Sequence, residues 1–316
     1  MSCSLRHVFS LLPVSALLLV TACGGTAGEE GLGASEAAVT GVPLFPNYLV
    51  YSIAGGPIRV RNLTALSEVS LPVSGRFPVM SPDRLKIAYV SSAGRVTVCD
   101  ADGSNVHSVS GTGFTAPAWS PDSRLLAYAS EGQAGYGANI FLRPADLSTA
   151  QRQLTSNPGG WYFSPKFLSN SQLVFQRGFN GAANFPIVSA SASMQSTFVT
   201  MGGMSGTTAA RLEPSPSAVE IVYERESGSC GYASIVVAAL DFDNNGIPTA
   251  SGHHEIYCAG SLSRDSHQPS WGWYGKIAFT RDNPIGGSDA ETIGSSGSNP
   301  PLLQFSTTAQ LDLTIR

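Results

Sequence analysis

The chain has 316 residues, 42% of them hydrophobic and only 13% charged, with a formal net charge of −4. There is enough apolar material for a sizeable core. The scarcity of charge (three Lys in all) and the 34 Gly and 20 Pro disfavour helical bundles and coiled coils, whose wet faces draw on Glu, Lys and Arg, and no basic field exists to hold nucleic acid or an anionic membrane surface. Short strands joined by turns are expected.

In chain order, Arg6 and His7 precede an apolar stretch from Val8 to Val20, broken only by Ser10, Pro13 and Ser15. It is too short to span a bilayer, which takes about 20 residues, and suits a signal peptide's apolar region. Val20-Thr21-Ala22-Cys23 resembles the lipobox of bacterial lipoproteins. The resemblance implies a signal over residues 1–22 and a lipidated Cys23 that tethers the chain to a membrane. Residues 23–41 carry Gly24, Gly25, Gly28, Gly31 and Gly33 with little apolar content and read as a flexible linker. Gly24, rather than Asp, after the Cys leans toward the outer membrane, with the folded part in the periplasm or at the cell surface.

From residue 42 onward the chain repeats itself. Phe77-Pro78-Val79-Met80-Ser81-Pro82-Asp83 leads to Ile87-Ala88-Tyr89, and Ala116-Pro117-Ala118-Trp119-Ser120-Pro121-Asp122 leads to Leu126-Ala127-Tyr128 in step. Ser215-Pro216-Ser217 leads to Ile221-Val222-Tyr223 with the same spacing. Looser copies end at Tyr51, Phe175 and Phe279. The closing aromatics are 38, 39, 47, 48 and 56 residues apart, the range of a four-stranded propeller blade. Each unit reads as a short inner strand that tolerates Pro, a Ser-Pro-Asp turn in which Pro presets φ and the side chains cap amides, a buried aliphatic-Ala-Tyr strand, and two more alternating strands. Examples of the last are Arg95 to Asp100 with Val106 to Val109, and Asn139 to Arg143 with Arg152 to Thr155. No unit can bury both faces alone, so the units must close on one another.

The Ser-Pro-Asp turn followed by aliphatic-Ala-Tyr resembles the Pro-Asp repeat of TolB-type propellers, over nearly all of residues 42–316. The resemblance implies an all-β fold, a six-bladed β-propeller of four-stranded antiparallel blades. TolB's extra α/β domain has no counterpart in the sequence, nor is there room for the hydrolase domain of prolyl oligopeptidases. The ring could close by the last strand pairing into the first blade, or by residues near Ala37 to Val42 completing the sixth; family likeness favours the second. In the fifth unit, Gly231 to Leu240 and His253 to Cys258 read as an antiparallel hairpin, which places Cys230 beside Cys258 and predicts a disulfide. Cys99 is then a buried free thiol in a strand.

Candidate sites are few. Asp241-Phe242-Asp243-Asn244-Asn245-Gly246 matches the first half of a calcium loop, but Gly252 stands where a bidentate Glu is needed, so a hairpin turn is the reading. His253, His254 and Glu255 fit an exposed outer strand better than a metal site. Trp271-Gly272-Trp273-Tyr274 could meet a glycan, with packing between blades as the stronger reading. Residues just before the inner strands would ring one mouth of a central channel: Arg76 or Phe77, Phe114 or Thr115, Tyr162 or Phe163, Arg211 and His267, with Arg76, Phe114, Tyr162, Arg211 and His267 as the named candidates. An Arg-and-aromatic ring suits a carboxylate, a sugar or a peptide terminus. No G-x-S-x-G elbow, dinucleotide fingerprint or zinc spacing occurs, and no catalytic residue, metal or cofactor is expected. The expectation is a monomeric, non-enzymatic scaffold that binds an envelope protein, peptide or glycan at one channel mouth. A propeller lyase or hydrolase using channel-facing His and carboxylates is the alternative.

Overall fold

A computed structural model describes residues 47–316 apart from 114, 132–137, 157–159, 180–186, 193–198, 205–208, 226–227, 259–265 and 285. The signal, Cys23, the linker and Phe114 lie outside the described residues. The strands in chain order are β1 (Tyr48–Ile53), β2 (Pro57–Asn62), β3 (Glu68–Met80), β4 (Lys86–Ser91), β5 (Val96–Asp100), β6 (His107–Ser108), β7 (Ala118–Trp119), β8 (Leu125–Glu131), β9 (Ala138–Pro144), β10 (Arg152–Gln153), β11 (Gly160–Ser169) and β12 (Gln172–Phe179). They continue with β13 (Ile187–Ser191), β14 (Val199–Thr200), β15 (Ala209–Pro214), β16 (Glu220–Arg225), β17 (Ser234–Phe242), β18 (Pro248–Cys258), β19 (Ser266–Trp271), β20 (Lys276–Asp282), β21 (Ser288–Gly294), β22 (Leu302–Ser306) and β23 (Leu311–Ile315). No α-helix occurs among the described residues.

Four sheets run β7 to β10, β11 to β14, β15 to β18 and β19 to β22, each of four antiparallel strands in sequence order. A seven-stranded sheet, ordered β23-β1-β2-β3-β4-β5-β6, holds the rest. β3 serves twice there: Glu68 to Ser74 face β2, and Gly75 to Met80 face β4. Gly75 stands at the handover, where a Cβ would run into the Val90 carbonyl oxygen, so no larger residue fits.

The second strand of each unit is an unbroken buried run, as in Ile87 to Val90, Leu126 to Ala129, Ile221 to Glu224 and Ile277 to Thr280. Such a run is what a strand covered on both faces demands. The closing aromatics are the core's markers: Tyr51, Tyr89, Tyr128, Phe175, Tyr223 and Phe279 are each no more than 2% exposed. Each sits in a different apolar cluster; five of the clusters join successive sheets, and the one around Tyr89 joins the two halves of the seven-stranded sheet. Tyr128, for example, packs with Val79 and Trp119, and Phe175 with Ile140 and Leu142. Two of the buried hydroxyls bond across strands, Tyr51 donating to Glu68 at 2.6 Å and Tyr128 to Gln151 at 2.8 Å.

The Ser-Pro-Asp turns fold as their chemistry dictates. Ser81 Oγ donates to Asp83 Oδ1 at 2.6 Å and accepts from Lys86 N, while Asp83 Oδ1 also accepts from Leu85 N. Ser120 and Asp122 repeat the arrangement with Leu125 and Arg124. Turns also tie sheet to sheet, Asp83 N donating to Ser123 Oγ and Asp122 N to Asn170 Oδ1.

Closure differs from the favoured expectation. β23 pairs antiparallel with β1, from Leu49 opposite Ile315 to Ile53 opposite Leu311, so the chain's end completes the first unit. The segment near Ala37 to Val42, expected to complete the sixth unit, lies outside the described residues. Leu311, Leu313 and Ile315 bury their side chains against Leu49, Tyr51, Ala278 and Ala290, apolar surface that holds β23 at this edge. The first strands then contact one another in a cycle: β3 touches β7, β7 touches β11, and so on through β15 and β19 to β23, which returns to β3.

Candidate functional site

The cycle of first strands encloses two cavities, one toward each end. Alignment by register explains what lines them. The residue opposite the position before each closing aromatic is Thr314, Val79, Ala118, Lys166, Glu213 or Ser270. These residues form one layer midway along the strands. Lys166 and Glu213 line both cavities, so they stand between them.

The first cavity, of about 290 Å³, lies on the side from which the first strands enter. Four of those strands carry the same defect there: pairing slips between Arg76 and Val79, Phe163 and Lys166, Ala210 and Glu213, and His267 and Ser270. In each slip one residue adopts left-handed backbone, namely Phe77 (φ 53°), Ser164 (φ 51°), Arg211 (φ 50°) and Gln268 (φ 54°). None is Gly. Non-Gly residues at positive φ cost on the order of 1 kcal/mol or more and gather where strain serves a function, and bulges re-aim side chains. All four line this cavity, with Thr115 and Asp312.

Charges at this mouth are paired between strands, His267 and Glu224 across two sheets. Arg76 Nε donates to Asp312 Oδ2 at 3.1 Å and its guanidinium lies 4.6 Å from the Phe77 ring centre. Buried Glu224 is shared: His267 Nδ1 lies 2.9 Å from Oε1, Arg211 3.5 Å from Oε2, and the Gln268 amide donates to Oε2 at 3.3 Å. The hydrogen bond to Glu224 raises the His267 pKa above its ordinary 6.5 against the opposing effect of burial; the Glu224 charge and Asp282 add to the rise and Arg211 opposes it.

Of the anticipated rim, Arg76 and Arg211 are half exposed, at 50% and 47% of their side chains, and His267 lies beside the bulge residue Gln268. Tyr162 is a correction. It is fully buried with Phe175 and Leu173, because strand alternation before the bulge turns it into the interface between sheets. The bulge shifts the lining by one residue: Phe77, the alternative to Arg76, and Thr115, the alternative to Phe114, line the cavity, and Ser164 and Gln268 are the mouth residues that strict alternation misses. Lys166, Glu213 and Arg316 were also missed; aligning repeats on the closing aromatic would have shown Lys and Glu where other units carry Val, Ala, Ser or Thr.

The second cavity, of about 420 Å³, opens among the Ser-Pro-Asp turns. Between the two, Glu213 is 4% exposed and is held by Lys166 Nζ and by Arg316 at 3.3 Å.

Elsewhere, Cys230 and Cys258 form a disulfide with Cα atoms 6.0 Å apart, and Cys99 is a buried free thiol that burial raises to a pKa of about 12. Asp243 Oδ1 accepts from the Asn245 and Ile247 amides at 2.8 Å, as a hairpin turn requires. His253 bonds the Tyr223 hydroxyl at 3.0 Å, while Glu255 accepts from Ser229. Trp271 is buried between sheets and Tyr274 is 88% exposed. Among the described residues no three His, Cys, Asp or Glu side chains converge as metal ligands.

No family model matches the chain, and no curated protein matches it in sequence. Its fold does match solved structures. A protein assigned as TolB from Agrobacterium tumefaciens is 14% identical, with a TM-score of 0.61 over 86% of this chain and 98% of that one. A nidogen/laminin complex matches at 9% identity and a TM-score of 0.58, over 85% and 98%. An oligogalacturonate lyase from Vibrio parahaemolyticus matches at 10% and 0.50, over 78% and 70%. Sheets of four antiparallel strands, a cycle of first strands and these likenesses together make the fold a TolB-like β-propeller.

Proposed function

We propose that the chain is a membrane-tethered, six-bladed propeller scaffold, without enzymatic activity, that binds an envelope protein, peptide or glycan at the bulge-side mouth of its channel. In this reading residues 1–22 are a lipoprotein signal, Cys23 carries the lipid, residues 23–41 are the linker and residues 42–316 the propeller. The observation that carries the reading is the left-handed bulge recurring at Phe77, Ser164, Arg211 and Gln268, which sends four dissimilar side chains into one opening. Left-handed backbone also recurs at Arg84, Ser123 and Ala218 in the turns, but at the bulges it coincides with a cavity lining, the setting in which strain serves a function. The surface so made combines an aromatic ring, two half-exposed guanidinium groups and amide and hydroxyl groups, suited to a partner rich in carboxylates and hydroxyls.

Capture tests it. The full chain with a C-terminal tag is cross-linked in living cells, and partners are identified by mass spectrometry. One dominant envelope species should be enriched, and should fall at least about tenfold when Phe77 and Arg211 are both replaced by Ala. Equal capture by this variant would rule out the mouth as the binding surface. Cys23→Ser should release the protein from membranes; retention there would rule out the tether.

A further inference from the structure

The cavity at the opposite end has a charge order of its own. Its walls are apolar: Pro82, Pro121 and Pro216 come from three turns, with Trp119, Phe167 and Leu168 below them. Its floor is Lys166, Glu213 and Arg316. Two cations there share one carboxylate, and all three groups are largely shielded, with side-chain exposures of 13%, 4% and 18%. Arg316 Nε is buried and, among the described residues, has no hydrogen-bond partner. The Arg316 backbone pairs with Tyr48 in both directions, which fixes the guanidinium's origin at the end of β23. Two shielded cations sharing one carboxylate favour a further anion, and a guanidinium favours a planar carboxylate.

The rim has the opposite character. Asp83 and Asp122 line it, and each uses Oδ1 for its turn. The other oxygen of each carries no bond among the described residues, which leaves an acceptor facing the cavity entrance. From outside inward the cavity therefore presents acceptors, apolar walls and a cationic floor.

We propose that this cavity binds the C-terminal carboxylate of a short apolar peptide segment. The carboxylate meets Lys166 and Arg316, the last apolar side chain lies among the three prolines and Trp119, and peptide N–H groups face Asp83 and Asp122. An acyl chain would satisfy floor and walls but offers no donors to the rim. In the free protein Glu213 takes the carboxylate's place, so it acts as an internal competitor. The site shares Lys166 and Glu213 with the bulge-side cavity, but its walls and rim belong to the turn side alone, and its test adds the ligand by itself and does not depend on any partner at the other mouth.

The test is calorimetric titration of the full chain with N-acetyl-alanyl-leucine as the free acid and as the C-terminal amide, with octanoate as the acyl arm. The acid should saturate, with the amide and octanoate at least about tenfold weaker. Lys166→Met should weaken the acid by about tenfold or more. Glu213→Gln should do the reverse and tighten it, since it removes the competitor; damage to the fold would weaken binding instead, so the opposite signs separate the site from misfolding. Four results would overturn the proposal: no saturation by the acid, equal binding of acid and amide, octanoate binding as well as the peptide, or a Glu213→Gln variant that binds more weakly than the unaltered chain.

Discussion

His267 and Glu224 give the mouth a pH signature. The folded-state pKa of His267 lies above its ordinary 6.5, chiefly because Nδ1 bonds Glu224. A raised pKa means that the folded state binds the proton more tightly than the unfolded chain. The stabilisation is therefore complete below pH 6.5 and is lost as pH rises through the folded value. Melting temperatures of the unaltered chain and His267→Gln, taken from about pH 5.5 to about pH 8.5, should differ most at the acid end and converge at the alkaline end. A constant difference would show that His267 acts by packing alone. Cys99 makes a second check. Fully buried and with its thiol raised to about 12, it should resist iodoacetamide in the native protein and react only after unfolding. Glu213→Ala should cost about 3 kcal/mol in urea unfolding, because Lys166 and Arg316 would be left shielded without a counter-charge; an unchanged midpoint would mean that water already solvates them.

Strands and turns show what a sequence reader can and cannot see. The Ser-Pro-Asp turns and the aliphatic-Ala-Tyr strands were legible because local chemistry alone specifies them: a Ser oxygen caps an amide five residues on, and an apolar run needs cover on both faces. The hairpin β17–β18 was legible too, since antiparallel pairing sets Ser234 opposite Cys258 with Cys230 just upstream. The disulfide closes a separation of 28 residues, which by loop entropy stabilises by about 3–4 kcal/mol. Cys230→Ser with Cys258→Ser should lower stability by no more than that, and non-reducing peptide mapping should recover the two cysteines in one linked species. The bulges were not legible. A bulge adds one residue to one strand, and nothing in Arg76-Phe77-Pro78 or His267-Gln268-Pro269 announces which residue takes left-handed backbone. Strict alternation therefore chose Tyr162, which is core, and passed over Ser164 and Gln268.

Around the ring, the repeat was legible from its aromatics, but the seam was not. Closure depends on whether the last strand pairs into the first unit, and a sequence holds no local signal for so distant a pairing. The structure gives the edge to β23, with Thr314 donating to Pro78 O and Ile315 N to Ser270 Oγ. Burial of Leu311, Leu313 and Ile315 is worth about 2 kcal/mol per side chain, together comparable to a domain's whole margin of about 5–15 kcal/mol. Removal of residues 311–316 should therefore abolish cooperative unfolding; a truncated chain with an unchanged melting temperature would place the seam elsewhere. The ring matters to function because it brings Phe77, Ser164, Arg211 and Gln268 from four distant stretches of sequence to one opening. A photocrosslinking residue placed at Gln268, compared in living cells with one at Phe242 on the outer hairpin (46% exposed), tests whether that opening is where partners are met. Recognition at the bulge-side mouth predicts a single envelope adduct from position 268 and none from position 242. Adducts from 242 with none from 268 would contradict it, and would move recognition from the channel to the rim of the sheets.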